Sequence, residues 1–350
     1  MSHKWLFRAV IGLSIIFLQQ APANAEAPPD TLPAALRHAL DGMAPEGRWA
    51  ARLTVLGNGY DQRYDNAGRR VDLSGMPGLD TRVSTDYTEL MFGYGVTENL
   101  TLGAIVPYTR SRTRVRFSPG AEAPLQAMAS ALGYNRLRTT VSSGFSDPTL
   151  GALWRFHKSA DDSALVGIGV RLGVAADDDP KNLVDVPPGD GSTDLRTRME
   201  YFRDLGSGFD LRLLAEYQAQ LPDEVTLRWN DTPTSVAEEK LKRDLGNYWE
   251  YDVEVGKSIG DWRVAATWHR YREPADRYTS RLGTDTRALS ANTDTLADQY
   301  RIGITWSGVN AWRARKLPMP LIVKLELQDA FDGRNFVKVR DFYLRLTSFF

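Results

Sequence analysis

The sequence contains no cysteine. This absence excludes a disulfide framework, a thiolate metal site and a cysteine nucleophile. Positive and negative charges nearly cancel, with 43 Lys plus Arg against 44 Asp plus Glu. Nothing therefore indicates a nucleic acid as a partner. The mean hydropathy is −0.37 and no long apolar run follows residue 25, which excludes a helical membrane protein. A membrane β-barrel is not excluded, because its strands are apolar only at every second residue.

Residues 1–25 have the layout of a secretory signal peptide. Lys4 and Arg8 precede a short apolar run at 9–18 (AVIGLSIIFL), and small residues at 23–25 form a cleavage site before Glu26. The alternative is a membrane-spanning anchor, but that needs about 20 apolar residues and this run is too short. We therefore predict an exported chain from which residues 1–25 are cleaved.

Twelve segments alternate between apolar and polar residues, which is the period of a strand with two different environments. They cover residues 48–56, 84–95, 100–108, 149–156, 164–174, 195–202, 209–219, 249–255, 262–268, 296–306, 321–327 and 341–350. Tight connections follow the second, fourth, sixth and eighth segments, whereas most of the others are long and polar. Short periplasmic turns and long extracellular loops are typical of bacterial outer-membrane barrels. The sequence therefore predicts an all-β fold, a transmembrane antiparallel β-barrel of about 12 strands over residues 48–350, rather than a soluble all-β protein.

The last segment ends on an aromatic residue. Phe350 shares one face of the strand with Leu346, Leu344 and Phe342, although Ser348 departs from the pattern. The final strand of an outer-membrane barrel closes the ring and ends at the aromatic girdle. We interpret these residues as a barrel-closing signature that the barrel-assembly machinery would recognise. The expected location is the outer membrane of a Gram-negative bacterium, with outer-membrane lipid and lipopolysaccharide as neighbours.

Residues 26–47 are predicted to be a periplasmic leader. Apolar residues between 32 and 43 fall at helical spacing, so the leader either forms a small surface helix or enters the barrel as a plug. A second helix-like patch, residues 124–132, lies in a predicted outer loop and could fold over the mouth as a lid.

If the apolar faces meet lipid, the opposite faces line the lumen and are rich in charge. We predict lumen positions for Arg52, Glu89, Arg155, Arg171, Arg196, Arg198, Glu200, Arg212, Glu216, Glu250, Asp252, Glu254, Arg263, His269, Arg301, Lys324, Glu326 and Arg345. The eighth segment presents three acids and its neighbours present Arg212 and Arg263, so opposite charges can pair across adjacent strands. Such pairs either fill and rigidify a narrow barrel or form a charged constriction that selects what passes, and both can hold together.

An alternating basic row, Arg110, Arg112, Arg114 and Arg116, follows Pro107 at the parity of the lipid-facing side. Either Pro107 marks a bulge that shifts the phase, or the stretch projects beyond the bilayer. A projecting row could meet the anionic groups of the outer leaflet, or it could be a plain solvated loop edge.

The enzyme hypothesis finds little support in the sequence. A lipid-hydrolysing barrel needs a Ser/His pair at the lipid-facing rim. After residue 25 the histidines are His38 in the leader, His157 in a turn and His269 at lumen parity, and none has an evident serine partner. No metal-ligand spacing and no phosphate-binding loop occur. We predict no catalytic residue, no metal site and no cofactor.

Two motifs resemble a known family. Residues 94–103 (YGVTENLTLG), followed by Pro107 and Tyr108, and residues 144–151 (GFSDPTLG) are similar to hairpins of the outer-membrane barrels labelled as meta-pathway phenol-degradation proteins. That family is often grouped with transporters of hydrophobic and aromatic compounds. The motifs are turn-and-strand motifs that carry architecture and no chemistry.

The resemblance implies an uptake channel for small, aromatic or hydrophobic molecules. No energy-coupling motif is evident, so we expect passive diffusion. A hydrophobic solute fits poorly with a charged lumen, and it could instead enter at the outer loops and leave sideways through the wall. The alternatives are a structural or adhesive barrel with a sealed lumen and, less favoured, a lipid-hydrolysing barrel.

Overall fold

The computed structural model describes residues 43–176, 179–232 and 235–350. Within these ranges the helices are α1 Glu122–Ala131, α2 Arg287–Ser290 and α3 Val309–Arg313. The strands, in chain order, are β1 Trp49–Tyr60, β2 Gln62–Tyr64, β3 Arg70–Asp72, β4 Leu79–Thr97, β5 Leu100–Phe117, β6 Thr140–Phe145, β7 Thr149–Lys158, β8 Asp162–Arg171, β9 Asp194–Gly206, β10 Phe209–Gln220, β11 Asp223–Thr232, β12 Ser235–Asp244, β13 Tyr248–Ile259, β14 Trp262–Glu273, β15 Arg277–Thr279, β16 Thr295–Ser307, β17 Leu321–Arg334 and β18 Arg340–Phe349.

The large sheet closes on itself. Its strands run in the order β4-β1-β18-β17-β16-β14-β13-β10-β9-β8-β7-β5-β6, and the additional β4–β5 pairing joins the two ends. Strands β6 and β7 share one place in the wall, because β6 pairs with the distal part of β5 and β7 with its proximal part. The result is a closed antiparallel barrel with twelve places, which confirms the prediction.

Connections of different length collect at the two ends of the barrel, which we call the turn end and the loop end. At the turn end lie residues 98–99, 159–161, 207–208, 260–261 and 308–320, and only the last is long and contains a helix, α3. One of the two-residue turns places Gly206, Ser207 and Gly208 all at positive φ, a backbone conformation that favours glycine. The short connections after the second, fourth, sixth and eighth segments are thus as predicted.

The loop end carries structure that the alternation search did not predict. Strands β11, β12 and β15 form a separate three-stranded sheet, and β2 and β3 form a small hairpin. Helix α1 coincides with the predicted helix at 124–132 and buries Ala129.

The predicted signal peptide and the predicted helix in the leader lie outside the described residues, apart from Met43 at its end. Residues 43–47 of the leader are described, and they lie at the turn end. Strand β18 pairs with β17 on one side and with β1 on the other, so it closes the ring. Trp49 and Phe350 exchange backbone hydrogen bonds of 2.8 and 3.0 Å, which extends this pairing to the last residue.

Candidate functional site

The interior of the barrel is the candidate site, and alternation along each strand decides which side chains reach it. On β13 the outward Trp249, Val253 and Val255 are 41, 40 and 46 % exposed, whereas the inward Asp252 and Glu254 are 5 and 3 % exposed. Because neighbouring side chains of a strand point to opposite faces, an apolar exterior fixes a charged interior.

A buried ion-pair cluster lies toward the turn end. Arg263 on β14 donates to Asp210 on β10 (2.5 and 2.9 Å) and to Glu254 on β13 (2.7 Å). Thr267 adds a hydrogen bond to Glu254 at 3.1 Å. The guanidinium lies over Gly256, where an added Cβ would come within 2.3 Å of a guanidinium nitrogen. The glycine therefore makes room for a charge shared by two acids.

Halfway along the barrel, His269 and Arg301 meet the same acid. Asp252 lies 2.6 Å from Nδ1 of His269 and accepts a hydrogen bond of 3.0 Å from Nη1 of Arg301. Arg301 also donates to Gln328. This cluster joins β13, β14, β16 and β17 through side chains inside the barrel.

Most of the remaining predicted lumen residues also form pairs. Arg212 donates to Glu200 on β9 at 2.9 Å. The other pairs are Arg52 with Glu89 (3.2 Å), Arg171 with Asp190 (2.6 Å) and with Asp194, Arg196 with Glu216, Arg198 with Glu200, Lys324 with Glu326 (2.5 Å), and Arg345 with Glu326 (3.9 Å). Arg155, also buried, donates to the backbone oxygen of Glu98 at 3.5 Å. The structure thus brings the charged residues of neighbouring strands together.

Glu250 differs from the other acids of the interior. It is directly opposite Glu216 in the β10–β13 register, and it has no hydrogen-bond or ion-pair partner in the part of the chain that the structure describes. Like charges that face each other across two strands repel. Glu250 is therefore an interior carboxylate whose substitution breaks no described pair.

In the opposite sector, one row across the inner wall carries no side chains. Gly93, Gly103, Gly151 and Gly169 are neighbours across β4, β5, β7 and β8. Their strand neighbours Leu102, Leu150 and Ile168 are exposed on the outside, so the glycines face inward. Sequence analysis missed this row, although glycine at inward parity in four segments was a usable signal.

A cavity of about 120 Å³ adjoins this glycine row. Its inward lining includes Thr101, Thr149 and Leu153 on the same wall and Arg196, Arg198 and Glu216 on the charged wall. The cavity also touches residues at outward parity, because the glycines leave the wall thin: Phe92, Ala104, Ala152 and Ile168. The interior therefore has one bare, weakly polar side and one charged side, with open space between them.

At the turn end, residues before β1 cross the interior. Met43 packs against Leu165 and Phe202, and Ala44 donates its backbone N–H to Thr101 at 3.0 Å. Gly95 lets the chain pass, because a Cβ there would lie 2.0 Å from the carbonyl oxygen of Pro45. The chain itself thus covers part of the opening at the turn end.

At the loop end, the second sequence motif has a structural role that sequence analysis did not find. The buried carboxylate of Asp147 accepts backbone hydrogen bonds from Val174 (2.9 Å), Ala175 (2.8 Å) and Gly191 (3.2 Å). Asp147 thereby ties both ends of the loop between β8 and β9 to the break between β6 and β7.

The described residues offer little for catalysis. The described hydrogen bonds of His157 and His269 go to Asp162, Asp252 and Arg301, and none goes to a serine. Among the described residues, no group of three or more His, Asp or Glu side chains could hold a metal ion. A search of the same residues found no helix with the length and apolar character needed to span a bilayer.

Comparison with known proteins places the fold. The family model described as "Putative MetA-pathway of phenol degradation" matches residues 61–307. The COG4313 outer membrane channel from Pseudomonas putida F1 is similar at 14 % identity and a TM-score of 0.63, over 93 % of this chain and 100 % of that one. No curated protein sequence matches significantly.

Two hydrocarbon channels are more distant in structure. The TodX deltaS2S3 mutant monoaromatic hydrocarbon channel aligns at 9 % identity with a TM-score of 0.45, over 91 % of this chain and 93 % of that one. The Ralstonia pickettii toluene transporter TbuX aligns at 11 % and 0.41, over 95 % and 97 %. The fold is that of an outer-membrane channel, so the turn end is periplasmic and the loop end extracellular.

Proposed function

We propose that this chain, which belongs to the family described as "Putative MetA-pathway of phenol degradation", is a passive outer-membrane channel for small molecules. The observation that carries the proposal is the two-sided interior. A bare glycine wall leaves space beside paired charges, and a cavity lies between the two. Charged rings inside a pore select among solutes, whereas a structural barrel has no need of an unfilled wall.

We further propose that the cargo is a small aromatic anion. A flat ring fits against a wall without side chains, and the cavity is lined on its other side by Arg196 and Arg198. Arginine recognises carboxylate-like groups with its planar fork and also stacks on rings. The names of the hydrocarbon channels agree with an aromatic cargo, but the proposal rests on the cavity.

Export with cleavage of residues 1–25, assembly through the C-terminal strand and a lipopolysaccharide neighbourhood in a Gram-negative bacterium belong to the same proposal. They follow from the signal-like N-terminus and from the pairing of β18 with β1.

A solute-flux assay tests the channel. Proteoliposomes that contain the chain should admit benzenesulfonate, which is anionic at every relevant pH and does not cross lipid by itself. The T149F variant, which enlarges an inward side chain at the cavity, should slow this flux several-fold, because it narrows the space beside the charged wall. The L150F variant is the matched control, because Leu150 is the next residue and faces outward. Flux equal to that of empty vesicles would contradict the proposal.

The second candidate is a structural barrel with a sealed interior. It is favoured by one observation, that residues 43–47 cross the turn end and bury Met43 and Ala44. A sealed barrel predicts that wild type, T149F and L150F all match empty vesicles. No observation favours a lipid-hydrolysing barrel.

A further inference from the structure

Beyond the lumen, a column of arginines stands on the outer surface of the barrel. Strand β5 passes Pro107 without a change of phase, since its register with β4 runs unbroken from Leu90↔Val106 to Leu79↔Phe117. Of the two alternatives for Pro107, the phase shift is therefore wrong, which leaves the projection beyond the bilayer. The column, defined here as Arg110, Arg112, Arg114 and Arg116, thus lies on the same face as the lipid-facing Val106.

The column begins directly beyond an aromatic pair on the outer face of the barrel. Tyr108 and Phe145, 40 and 66 % exposed, contact each other edge to face with ring centroids 5.6 Å apart. Aromatic residues of this kind anchor barrels at the interface. Since a strand advances about 3.3 Å per residue, the arginines lie at distances of about 7 to 27 Å along the strand beyond Tyr108.

The arginines are available to a ligand. All four are exposed, and none has an ion pair or side-chain hydrogen bond within the described ranges. A fifth exposed arginine, Arg82, lies opposite Arg114 on β4. Two acids, Asp80 and Asp86, lie opposite the ends of the column, whereas Ser84 and Val141 flank its middle. The surface therefore keeps a net positive charge on the part that faces the outer leaflet.

We infer that the arginine column binds the phosphate groups of lipopolysaccharide. Guanidinium groups form bidentate hydrogen bonds with phosphate, and in the outer leaflet phosphorylated sugars stand just above the acyl chains. The arginine column starts at the aromatic anchor and continues outward. It therefore matches a ligand whose lipid end is buried and whose charged sugars project. The inference uses the proposed orientation of the barrel but not the proposed transport.

The test compares two variants that lose the same charge. R110Q/R112Q/R114Q/R116Q removes the column. R69Q/R277Q/R281Q/R287Q removes four exposed arginines from other extracellular segments. Fluorescently labelled lipopolysaccharide is titrated into each protein in detergent, after both variants are shown to have the heat-modified gel mobility of a folded barrel. We expect the column variant to bind about a hundredfold more weakly and the control to bind like wild type.

Two further arms identify the source of the phosphate and separate this inference from the proposed function. Lipopolysaccharide with its phosphates removed should not compete. Millimolar inorganic phosphate should compete poorly, because it has neither several phosphate groups on one molecule nor a lipid part. Equal binding by both variants, or competition by the dephosphorylated form, would overturn the inference. Flux measured on the same preparations reports on transport independently, so either idea can fail while the other stands.

Discussion

Arg263 shows what a buried charge requires in this interior. It is 3 % exposed and satisfies Asp210 and Glu254 together, over a glycine that leaves space for it. A buried ion network of this kind stabilises only while every member has a partner, because an unpaired charge retains its full desolvation cost.

Removing Arg263 should therefore destabilise the barrel strongly. We expect R263M to lower the free energy of unfolding by about 3–5 kcal/mol, since two carboxylates lose their partner. The measurement is guanidinium unfolding of the protein in lipid vesicles. The double variant R263M/D210N should recover part of the loss, and a single-variant loss below about 1 kcal/mol would contradict a coupled network.

Glu273 gives a pH dependence at the extracellular end. It is the last residue of β14, beyond the aromatic Trp268, and it accepts hydrogen bonds from Tyr271 (2.6 Å) and Gln220 (2.9 Å). Burial raises the pKa of its carboxyl to about 7, from an ordinary value of 4.5. A carboxyl whose pKa is higher in the folded state favours the folded form when protonated, so stability falls as pH rises from about 4.5 to about 7.

The prediction is a loss of thermal stability between pH 5 and pH 8 that the E273Q variant lacks. The heat-induced shift in gel mobility, followed across pH, measures it. The same slope in wild type and E273Q would show that another group is responsible.

At the scale of the strands, the sequence alone was a good guide to the wall. Every one of the twelve predicted segments overlaps a wall strand, because the lipid-facing side must be apolar at every second residue. The ends were less well placed. Strand β5 continues to Phe117 on polar residues, since pairing with β4 holds it together after the lipid-facing pattern stops.

The remaining features depend on the pairing register between strands, which the sequence of a single segment does not encode. Arg212 lies directly opposite Glu254 on β13, as expected, but its hydrogen bond to Glu200 on β9 was not foreseen. The glycine row exists only because β4, β5, β7 and β8 align Gly93, Gly103 and Gly151 in one line with Gly169. Strands β11 and β12 were missed because they stand in the extracellular loops, where lipid imposes no alternation.

The contacts of Asp147 lead to a prediction for the loop between β8 and β9. Its three backbone hydrogen bonds hold the segment between β8 and β9, and D147A removes all of them. Because each hydrogen bond to a charged group contributes about 1.5–3 kcal/mol, the loop should open far more often, and its cleavage by an added protease should rise at least about tenfold. The control is D179A, because Asp179 lies in the same loop and the described hydrogen bond of its carboxylate comes from Lys181 nearby. Equal cleavage of the two variants would rule out the proposed tie.

The whole molecule combines a closed wall with an interior that is charged on one side and bare on the other. The charged side pairs its residues across strands, so it stiffens the barrel, while the glycine side leaves the space. The two interpretations of the charged lumen, a rigidified barrel and a selective constriction, are thus compatible. Ion pairs hold most of the charged side chains in place, whereas Glu250 has no described partner. Residues 43–47 lie at the periplasmic end of that space, where they would narrow it.

The most direct measurement of the central claim is single-channel conductance of residues 26–350 refolded into a planar bilayer. The account predicts stable open steps, and it predicts that E250Q shifts the reversal potential in a salt gradient toward anions, because the variant removes a lumen carboxylate without breaking a described pair. A bilayer that stays silent with correctly folded protein, or a reversal potential that E250Q leaves unchanged, would contradict a water-filled pore lined by this interior.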